Sequence, residues 1–246
     1  MDFTERFYRK DHRQVDLVHF QLVLAETDLD IGVCKERFSP ELVEWVKEMI
    51  LASRRPLEEY IQRDPGFLSA LTPYTVLPDA PLIVQTMAEA GRLAGVGPMA
   101  AVAGAVSELV GKSIAKRSRD VIVENGGDIF LRTSRIRRVG IFAGNSPLSN
   151  KVAIEIRPDQ TPLGICTSSG KVGHSLSFGK ADAVVVLSPS VPLADAVATA
   201  CGNLVQTIDD LERTIEFASE IPGVTGVLVI KDDRLAVWGS VKLSPQ

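Results

Sequence analysis

The stretch that decides the fold is VIVENGGDIFL, residues 121–131, in which two apolar runs flank a polar segment, Glu124-Asn-Gly-Gly-Asp128. Val, Ile and Phe favour strands, and Asn-Gly between apolar runs predicts a hairpin, because both residues accept positive φ. Asn125-Gly126 is sufficient for that turn. A second glycine, Gly127, is of use where another backbone or a ligand approaches closely. Taken alone, these residues favour a turn over a binding site.

The bulk composition is that of an ordinary soluble globular chain. The 246 residues are 45% hydrophobic and 24% charged, with a net charge of −4. We predict a single domain over residues 1–246, with sub-lobes 1–95 and 96–246 as the alternative. The net charge argues against a nucleic-acid binder. Basic clusters at residues 116–119 and 132–138 fit solvated loops and helix ends, with a phosphate-bearing ligand as the minority interpretation.

Cysteine usage and the chain start predict a cytoplasmic protein. The three cysteines, Cys34, Cys166 and Cys201, are too few and too scattered for a disulfide framework, which indicates a reducing compartment. The charged N-terminal residues contain no apolar core of a signal peptide. The longest apolar stretches fall short of the roughly 20 residues that a membrane helix needs.

Short β runs and helices alternate without a regular βαβ pattern, which predicts the α+β class with antiparallel sheets and packed helices. Ser39-Pro40 marks a helix start, and Pro56 should break or kink that helix. The small-residue helix at 99–114 must be buried against close neighbours, and Glu108 can pair with Lys112. Strands are predicted at 17–24, 29–33, 121–124, 128–133, 138–143, 152–156, 164–166, 183–187, 224–230 and 234–238; other helices at 82–93, 192–204 and 208–219.

A Gly/Ser-rich loop, TSSGKVGHSLSFG at residues 167–179, is the first candidate site. Its glycine amides and hydroxyls could cradle phosphate oxygens. Because Val172 follows Gly170-Lys171, the loop is not a Walker motif. A plain surface loop explains the composition equally well, and His174 alone is weak evidence for catalysis.

Asp195 and Thr199 form the second candidate, because they lie i,i+4 on one helical face. A carboxylate and a hydroxyl are hard oxygen ligands that suit Mg²⁺. The alternative, narrowly favoured on spacing alone, is that Asp195 lies in the first turn of its helix and favours the helix dipole. The acids of Glu26-Thr27-Asp28 could bind a metal, but turns use the same residues, and a turn is predicted there.

The order of these pieces resembles the ApbE-like flavin transferase superfamily. The resemblance rests on GPMAAVAGAVSE (97–108), ENGGD (124–128), TSSG (167–170) and ADAVATA (194–200). It is closest to the uncharacterised cytoplasmic branch of that superfamily, through ETDL (26–29), AGNSPLS (143–149) and GHSLSFGKAD (173–182). It covers residues 17–240 and implies an ApbE-like fold.

The resemblance also implies a flavin site, because the characterised transferases cleave FAD and attach FMN to a protein threonine with Mg²⁺. It places Asp195 and Thr199 on the metal, with a backbone carbonyl near Ala101-Val102 as third ligand. In the enzyme hypothesis, His174 is the candidate catalytic residue, which with the 167–171 loop contacts phosphate or moves protons. FAD or FMN would be the ligand. The residues implied in ligand binding are Asn125, Gly126, Gly127, Asp128, Thr167, Ser168, Ser169 and Gly170.

The sequence departs from the transferase pattern at two places, and both bear on activity rather than on fold. The transferases carry a lysine where this chain has Ala103, and an Asp-Pro pair follows their histidine, whereas Ser175-Leu176 follow His174 here. A lost lysine removes a positive charge that is useful against developing phosphate charge. Three hypotheses stay open: a Mg²⁺-dependent flavin or nucleotidyl transferase or pyrophosphatase, a ligand-binding protein without the chemistry, and an assembly protein. A homodimer is compatible with all three.

Overall fold

Two antiparallel sheets and a layer of helices make up the part of the chain, residues 14–169 and 178–246, that a computed structural model describes. The larger sheet has eight strands in the order β1-β2-β3-β4-β7-β8-β9-β10, and the smaller has the order β11-β6-β5. The strands are β1 (Leu17–Leu24), β2 (Thr27–Cys34), β3 (Val121–Asn125), β4 (Asp128–Arg132), β5 (Arg137–Gly140), β6 (Val152–Ile156), β7 (Leu163–Ser168), β8 (Ala183–Ser188), β9 (Gly226–Lys231), β10 (Arg234–Gly239) and β11 (Lys242–Pro245). The helices are α1 (Pro40–Arg63), α2 (Gly66–Ser69), α3 (Leu82–Ala94), α4 (Val102–Ile114), α5 (Val191–Leu204) and α6 (Leu211–Ser219).

Side-chain alternation gives the large sheet two different faces. Because successive residues of a strand point to opposite sides, Val123 and Phe130 pack with the helices, whereas Leu131 and Ile165 pack against the small sheet. The large sheet is therefore the middle of three layers. Both of its faces are buried where the other layers cover it, which explains the almost continuous apolar runs of β8 and β9.

The predicted α+β class with antiparallel sheets and packed helices is confirmed, and most predicted elements are present. Ser39 accepts a hydrogen bond from the Leu42 amide, as expected of the residue that caps α1. Glu108 and Lys112 form the predicted ion pair. The three cysteines are free and buried. The single-domain organisation stays a prediction.

Several boundaries differ from the sequence-based prediction. Helix α1 continues through Pro56, since Ser53, Leu57 and Tyr60 stay buried on either side of it. The start of the small-residue helix is a 3-10 turn, Pro98–Ala101. Residues 208–210 are also a 3-10 turn, which precedes α6. The short β11, whose Leu243 pairs with Ile154, was not predicted.

The turn predicted at Glu26-Thr27-Asp28 lies one residue earlier. Ala25, with a φ of 51°, and Glu26 connect the strands, while Thr27 pairs with Leu24 and Asp28 with Val23 inside the ladder. Asp28 is buried and accepts a hydrogen bond from the Gln21 side-chain amide at 2.7 Å. The acids that the sequence suggested for a turn are therefore split between a loop and a strand face.

The described residues contain no single helix long and apolar enough to cross a membrane. Helix α3 and the following segment Pro98–Ile114 meet that criterion only as a pair, and they are bent by 104° relative to each other.

Helix α4 approaches the sheet so closely that one position admits no side chain. A Cβ on Gly111 would lie 2.1 Å from Cδ1 of Phe130, a fully buried ring of β4. This contact agrees with the prediction that the small-residue helix has close neighbours.

We expect Gly111→Ala to destabilise the protein by about 1–3 kcal/mol because the added methyl overpacks the core, against a gain of about 1 kcal/mol in helix propensity. Ser113→Ala, at a half-buried position of the same helix, is the matched control and should change stability little. Urea unfolding measures both. A Gly111→Ala protein as stable as the wild type would contradict the close packing.

Candidate functional site

The β3–β4 hairpin turns on two glycines. Asn125 pairs with Asp128 across the ladder, so Gly126 and Gly127 are the two loop residues, with φ values of 69° and 104°. The prediction that Asn125-Gly126 would form the turn, with the second glycine to spare, was wrong. Both glycines serve the turn itself, because two successive positive φ values are what a tight hairpin requires.

The hairpin is held by one hydrogen bond to the helical layer and by another within the turn itself. On the helical side, the Asn125 side-chain amide donates to the Ala103 carbonyl at 3.2 Å, at the start of α4. On the other side, the buried carboxylate of Glu124 accepts the Gly127 amide at 2.8 Å. The turn is thus held by side chains on both faces of the sheet.

Asp195 caps a helix other than its own. It lies in the second turn of α5, and its carboxylate accepts hydrogen bonds from the backbone amides of Gly104, at 2.8 Å, and Ala103. These amides belong to the first turn of α4, which has no side-chain cap of its own. The alternative, that Asp195 lies in the first turn of its own helix and interacts with that helix dipole, was therefore wrong. Asp195 interacts instead with the positive end of the dipole of α4.

The two helices cross so closely that only glycine fits between them. A Cβ on Gly104 would lie 2.6 Å from the Val191 carbonyl oxygen and 2.9 Å from Cβ of Asp195. The absence of that carbon lets the carboxylate reach the amides. Glu108, one turn further along α4, accepts the Val191 amide at 2.8 Å and so caps α5 in return.

A second buried acid lies near Asp195. Burial raises the pKa of the Asp128 carboxyl well above its usual range, and the charge of Asp195 raises it further. Burial also raises the pKa of Asp195 to about 7, against the lowering effect of its two amide hydrogen bonds. Cys166 lies directly opposite Asp128 in the ladder, and burial raises the pKa of its thiol as well. Adding a positive charge here would relieve the cost of keeping both acids ionised.

Asp195 and Thr199 face a cleft of about 240 Å³, which we call the Asp195 cleft. Its polar groups come from α5, and its apolar walls come from the segments around α2 and the start of α4. The lining residues are Leu68, Ala70, Leu71, Val96, Gly97, Met99, Ala100, Val102, Ala103, Phe178, Asp195, Thr199 and Asn203.

The residues predicted to bind a ligand divide between the two faces of the large sheet. Asn125 and Asp128 face the helices, and Ser168 lies beside α5, where a Cβ on Gly202 would come within 3.1 Å of its hydroxyl. The remaining described members line a second cavity, of about 150 Å³, between the two sheets; these are Gly126, Gly127, Thr167 and Ser169. The structure thus brings the predicted residues to one end of the sheet without placing them in one pocket.

Two of the predicted residues, Gly170 and the candidate catalytic residue His174, lie outside the described residues. The sequence analysis also missed groups that the structure places at these sites. Glu124 was quoted but given no role, although its position two residues before the turn put it on the face opposite Asn125. The pairing of Cys166 with Asp128 depends on register between distant strands, for which the sequence carried no signal.

Comparison with known proteins agrees with this architecture. The family model described as AbpE bacteria matches residues 9–221. This chain belongs to that family. A UPF0280 protein of Methanococcus aeolicus is 40% identical over 230 residues, which are 92% of this chain and 91% of the relative. A UPF0280 protein of Methanosarcina acetivorans is 41% identical over 225 residues, 91% and 86% of the two chains.

Solved structures of flavin transferases share the fold of this AbpE family member. The flavin transferase ApbE from Vibrio cholerae superposes with a TM-score of 0.55 at 17% identity, over 91% of this chain and 97% of that one. The apo flavinyl transferase ApbE from Pseudomonas stutzeri gives a TM-score of 0.53 at 14% identity, over 91% and 94%. At these identities the likeness establishes the fold. The resemblance predicted from motif order is thereby confirmed for family and fold.

The two turn glycines should differ in their tolerance of a side chain. Gly126→Asn should cost little, because a φ of 69° lies in the left-handed region that Asn visits. Gly127→Asn should cost about 1–3 kcal/mol, because a φ of 104° is strained for any residue with a Cβ. Thermal unfolding of the pair checks this, and equal losses in both variants would contradict the assigned turn.

The burial of Asp195 should make stability depend on pH. Its pKa rises from 3.8 to about 7 on folding, so the folded state holds a proton that the unfolded state has lost. The stability that this proton contributes is therefore lost as pH rises from about 4 through 7. Without divalent cations, Asp195→Asn should gain stability over the wild type progressively between about pH 5 and pH 8.

The matched control for this comparison is Asp209→Asn, at an exposed acid of a 3-10 turn. Its melting temperature should follow that of the wild type across the same pH series. A difference between Asp195→Asn and the wild type that stays flat or shrinks with rising pH would show that the carboxyl does not bind a proton in the fold.

Proposed function

We propose that this protein binds a flavin nucleotide, FAD or FMN, together with Mg²⁺ in the Asp195 cleft. The observation that carries the proposal is a buried carboxylate that faces this cleft beside a hydroxyl, with a second buried acid, Asp128, close behind it. A cation there offsets the cost of two buried acids, and the phosphates of a nucleotide would supply its remaining ligands. The fold shared with flavin transferases makes a flavin nucleotide the first candidate.

The residues at the cleft fit a magnesium ion better than a transition metal. Asp195 offers a carboxylate, Thr199 a hydroxyl, and the residues around Val102 backbone carbonyls, all of which are oxygen donors. Among the described residues there is no cluster of three or more His, Cys, Asp or Glu side chains that could hold a metal. Mg²⁺ keeps several of its waters and needs only one or two protein carboxylates. When bound, it would neutralise phosphate charge and polarise a pyrophosphate.

The other predicted residues receive supporting roles in this proposal. Asn125 positions the start of α4 through the Ala103 carbonyl, and Asp128 adds negative charge behind Asp195. The turn glycines, Thr167, Ser168 and Ser169 lie at the same end of the sheet as the cleft, although not in its lining. In this proposal they and Gly170 contact the part of the nucleotide that extends beyond the cleft. His174 remains our candidate for moving a proton.

We infer further that the protein binds its ligand without transferring flavin to another protein. Ala103 occupies the position of the lysine in the transferase pattern, and its amide is engaged by Asp195. Residue 103 therefore supplies no positive charge that could neutralise the charge of a leaving phosphate. Hydrolysis of the pyrophosphate is the enzymatic alternative, and an assembly role without ligand is the non-catalytic one.

Thermal shift with FAD, FMN and ATP, each with and without Mg²⁺, tests the binding proposal. A ligand at roughly 100 times its Kd should add about 2.7 kcal/mol to the free energy of unfolding. We expect a Mg²⁺-dependent shift with FAD or FMN in the wild type and in the Asp209→Asn control, and none in Asp195→Asn. An equal shift in Asp195→Asn, or no shift with any nucleotide, would overturn the proposed function.

Chromatography of the products then separates carrier from enzyme. Intact FAD after prolonged incubation with protein and Mg²⁺ supports the carrier. Release of FMN and AMP that stops in Asp195→Asn would establish pyrophosphate hydrolysis, the enzymatic alternative, and overturn the carrier role.

A further inference from the structure

The large sheet ends on an open edge, strand β10. Within the described residues its one partner is β9, from which the chain returns through the two-residue turn Asp232-Asp233. The unpaired N–H and C=O groups of an edge strand can pair with another chain, and proteins protect such edges with charged residues, Pro or β-bulges. The run LAVWG, residues 235–239, contains no charge and no Pro, and its pairing with β9 has no bulge. This edge is therefore unprotected.

The register of the hairpin decides which backbone groups of β10 point away from β9. Lys231 and Arg234 close the two-residue turn, so this pair exchanges both of its N–H···O bonds. Hydrogen-bonded and non-hydrogen-bonded pairs alternate along an antiparallel ladder. Leu235 and Val237 therefore direct their N–H and C=O groups towards the open edge.

The side chains of β10 leave apolar surface exposed on both faces of this edge. Ala236 packs against the helical core, and because side chains alternate along a strand, Leu235 and Val237 lie on the opposite face, each 36% exposed. Trp238 lies on the face of Ala236 and is 37% exposed. Arg234 is exposed on that same face and makes no ion pair with the rest of the described chain. Exposed apolar surface of this kind marks interaction sites.

The other edge of the large sheet, strand β1, offers less to a partner. Its exposed large apolar side chain is Val23. Its neighbours His19 and Gln21 are polar, and their side chains are bonded to acids of β2. The edge that favours association is therefore the one formed by β10.

The sequence of β10 is complementary to itself when two copies run antiparallel about a two-fold axis at Ala236. Leu235 then lies opposite Val237 of the second copy, and the reverse, so that all the outward N–H and C=O groups of these residues pair. Arg234 lies opposite Trp238, where a guanidinium and an indole form a cation–π pair. The axis itself is occupied by the small Ala236, at a non-hydrogen-bonded pair where the strands come closest.

The neighbouring register, with the axis at Val237, is less favourable. It places Leu235 opposite Gly239, whose φ of 76° takes the chain out of the extended conformation. It also separates Arg234 from Trp238. The register centred on Ala236 opposes no like charges, because the acids of the 232–233 turn then lie beside Gly239 and Ser240 of the second copy.

We propose that two copies of this chain pair through β10, antiparallel and centred on Ala236, so that their large sheets form one continuous sheet. Each copy contributes Leu235 and Val237 to one face of the junction, and Arg234 and Trp238 to the other. None of these residues lines the Asp195 cleft. The dimer is therefore independent of the proposed nucleotide site, and Asp195→Asn should remain a dimer.

Sedimentation velocity on the whole protein at micromolar concentrations tests the association. We expect a species of twice the mass of one chain. Val237→Lys places a charge beside the partner's Leu235 and should raise the dissociation constant of the dimer about tenfold. Val23→Lys, at the exposed valine of β1, is the matched control and should leave it unchanged. A wild type that is monomeric throughout, or a dimer that is lost in Val23→Lys and kept in Val237→Lys, would overturn the proposal.

Crosslinking tests the register, whether or not Val237→Lys folds. Ala236→Cys puts two thiols on the axis, where the Cα separation of about 4.5 Å in a non-hydrogen-bonded pair is within the range of a disulfide. Leu235→Cys is the control, because each of these residues would lie about 7–8 Å from its own copy, on the diagonal of the ladder. The three native cysteines are buried. Mild oxidation should give a covalent dimer of Ala236→Cys and little of Leu235→Cys. No covalent dimer of Ala236→Cys, or equal yields from both variants, would contradict the assigned pairing.

Discussion

The crossing of α4 and α5 at Gly104 is the constraint on which the rest of the candidate site depends. Because no Cβ lies between the helices, the Asp195 carboxylate reaches the amides at the start of α4. Those amides lower the pKa of the buried carboxyl, against the larger raising effect of burial. The same contact positions the residues around Val102 and Ala103, to which the Asn125 amide of the glycine turn is attached. One close approach thus joins the helix pair, the hairpin and the cleft.

Under the proposed loss of flavin transfer, this arrangement would let the fold persist without that chemistry. The carboxylate, the hydroxyl of Thr199 and the helix start form a unit whose structural value does not depend on turnover. In contrast, the position of the transferase lysine is the helical residue Ala103, whose backbone already makes two structural hydrogen bonds. Removal of a side chain there would leave the helix start unchanged, because the backbone alone makes those contacts.

Much of the fold was accessible from the sequence because its signals are local. Strand alternation, the Ser39-Pro40 start and the small-residue run of α4 each report the environment of their own segment. Boundaries failed where packing between distant segments decides them, as at β11. At the site, the described residues predicted near the turn lie at one end of the sheet, and their roles stay predictions. Their division between two faces was not predicted, because the strand was expected to end at Cys166. Strand β7 instead extends to Ser168, so Thr167 and Ser168 point to opposite sides.

The most direct test of the account is a crystal structure of the protein grown with FAD and Mn²⁺, using the anomalous signal of the Mn²⁺ as a stand-in for Mg²⁺. The account predicts an anomalous peak at about 2.0–2.3 Å from oxygens of Asp195 and Thr199, with the phosphates of the ligand on the other side of the ion. An anomalous peak elsewhere, or flavin density in a structure whose Asp195 carboxylate contacts only the amides of α4, would contradict the claim that this acid is a metal ligand.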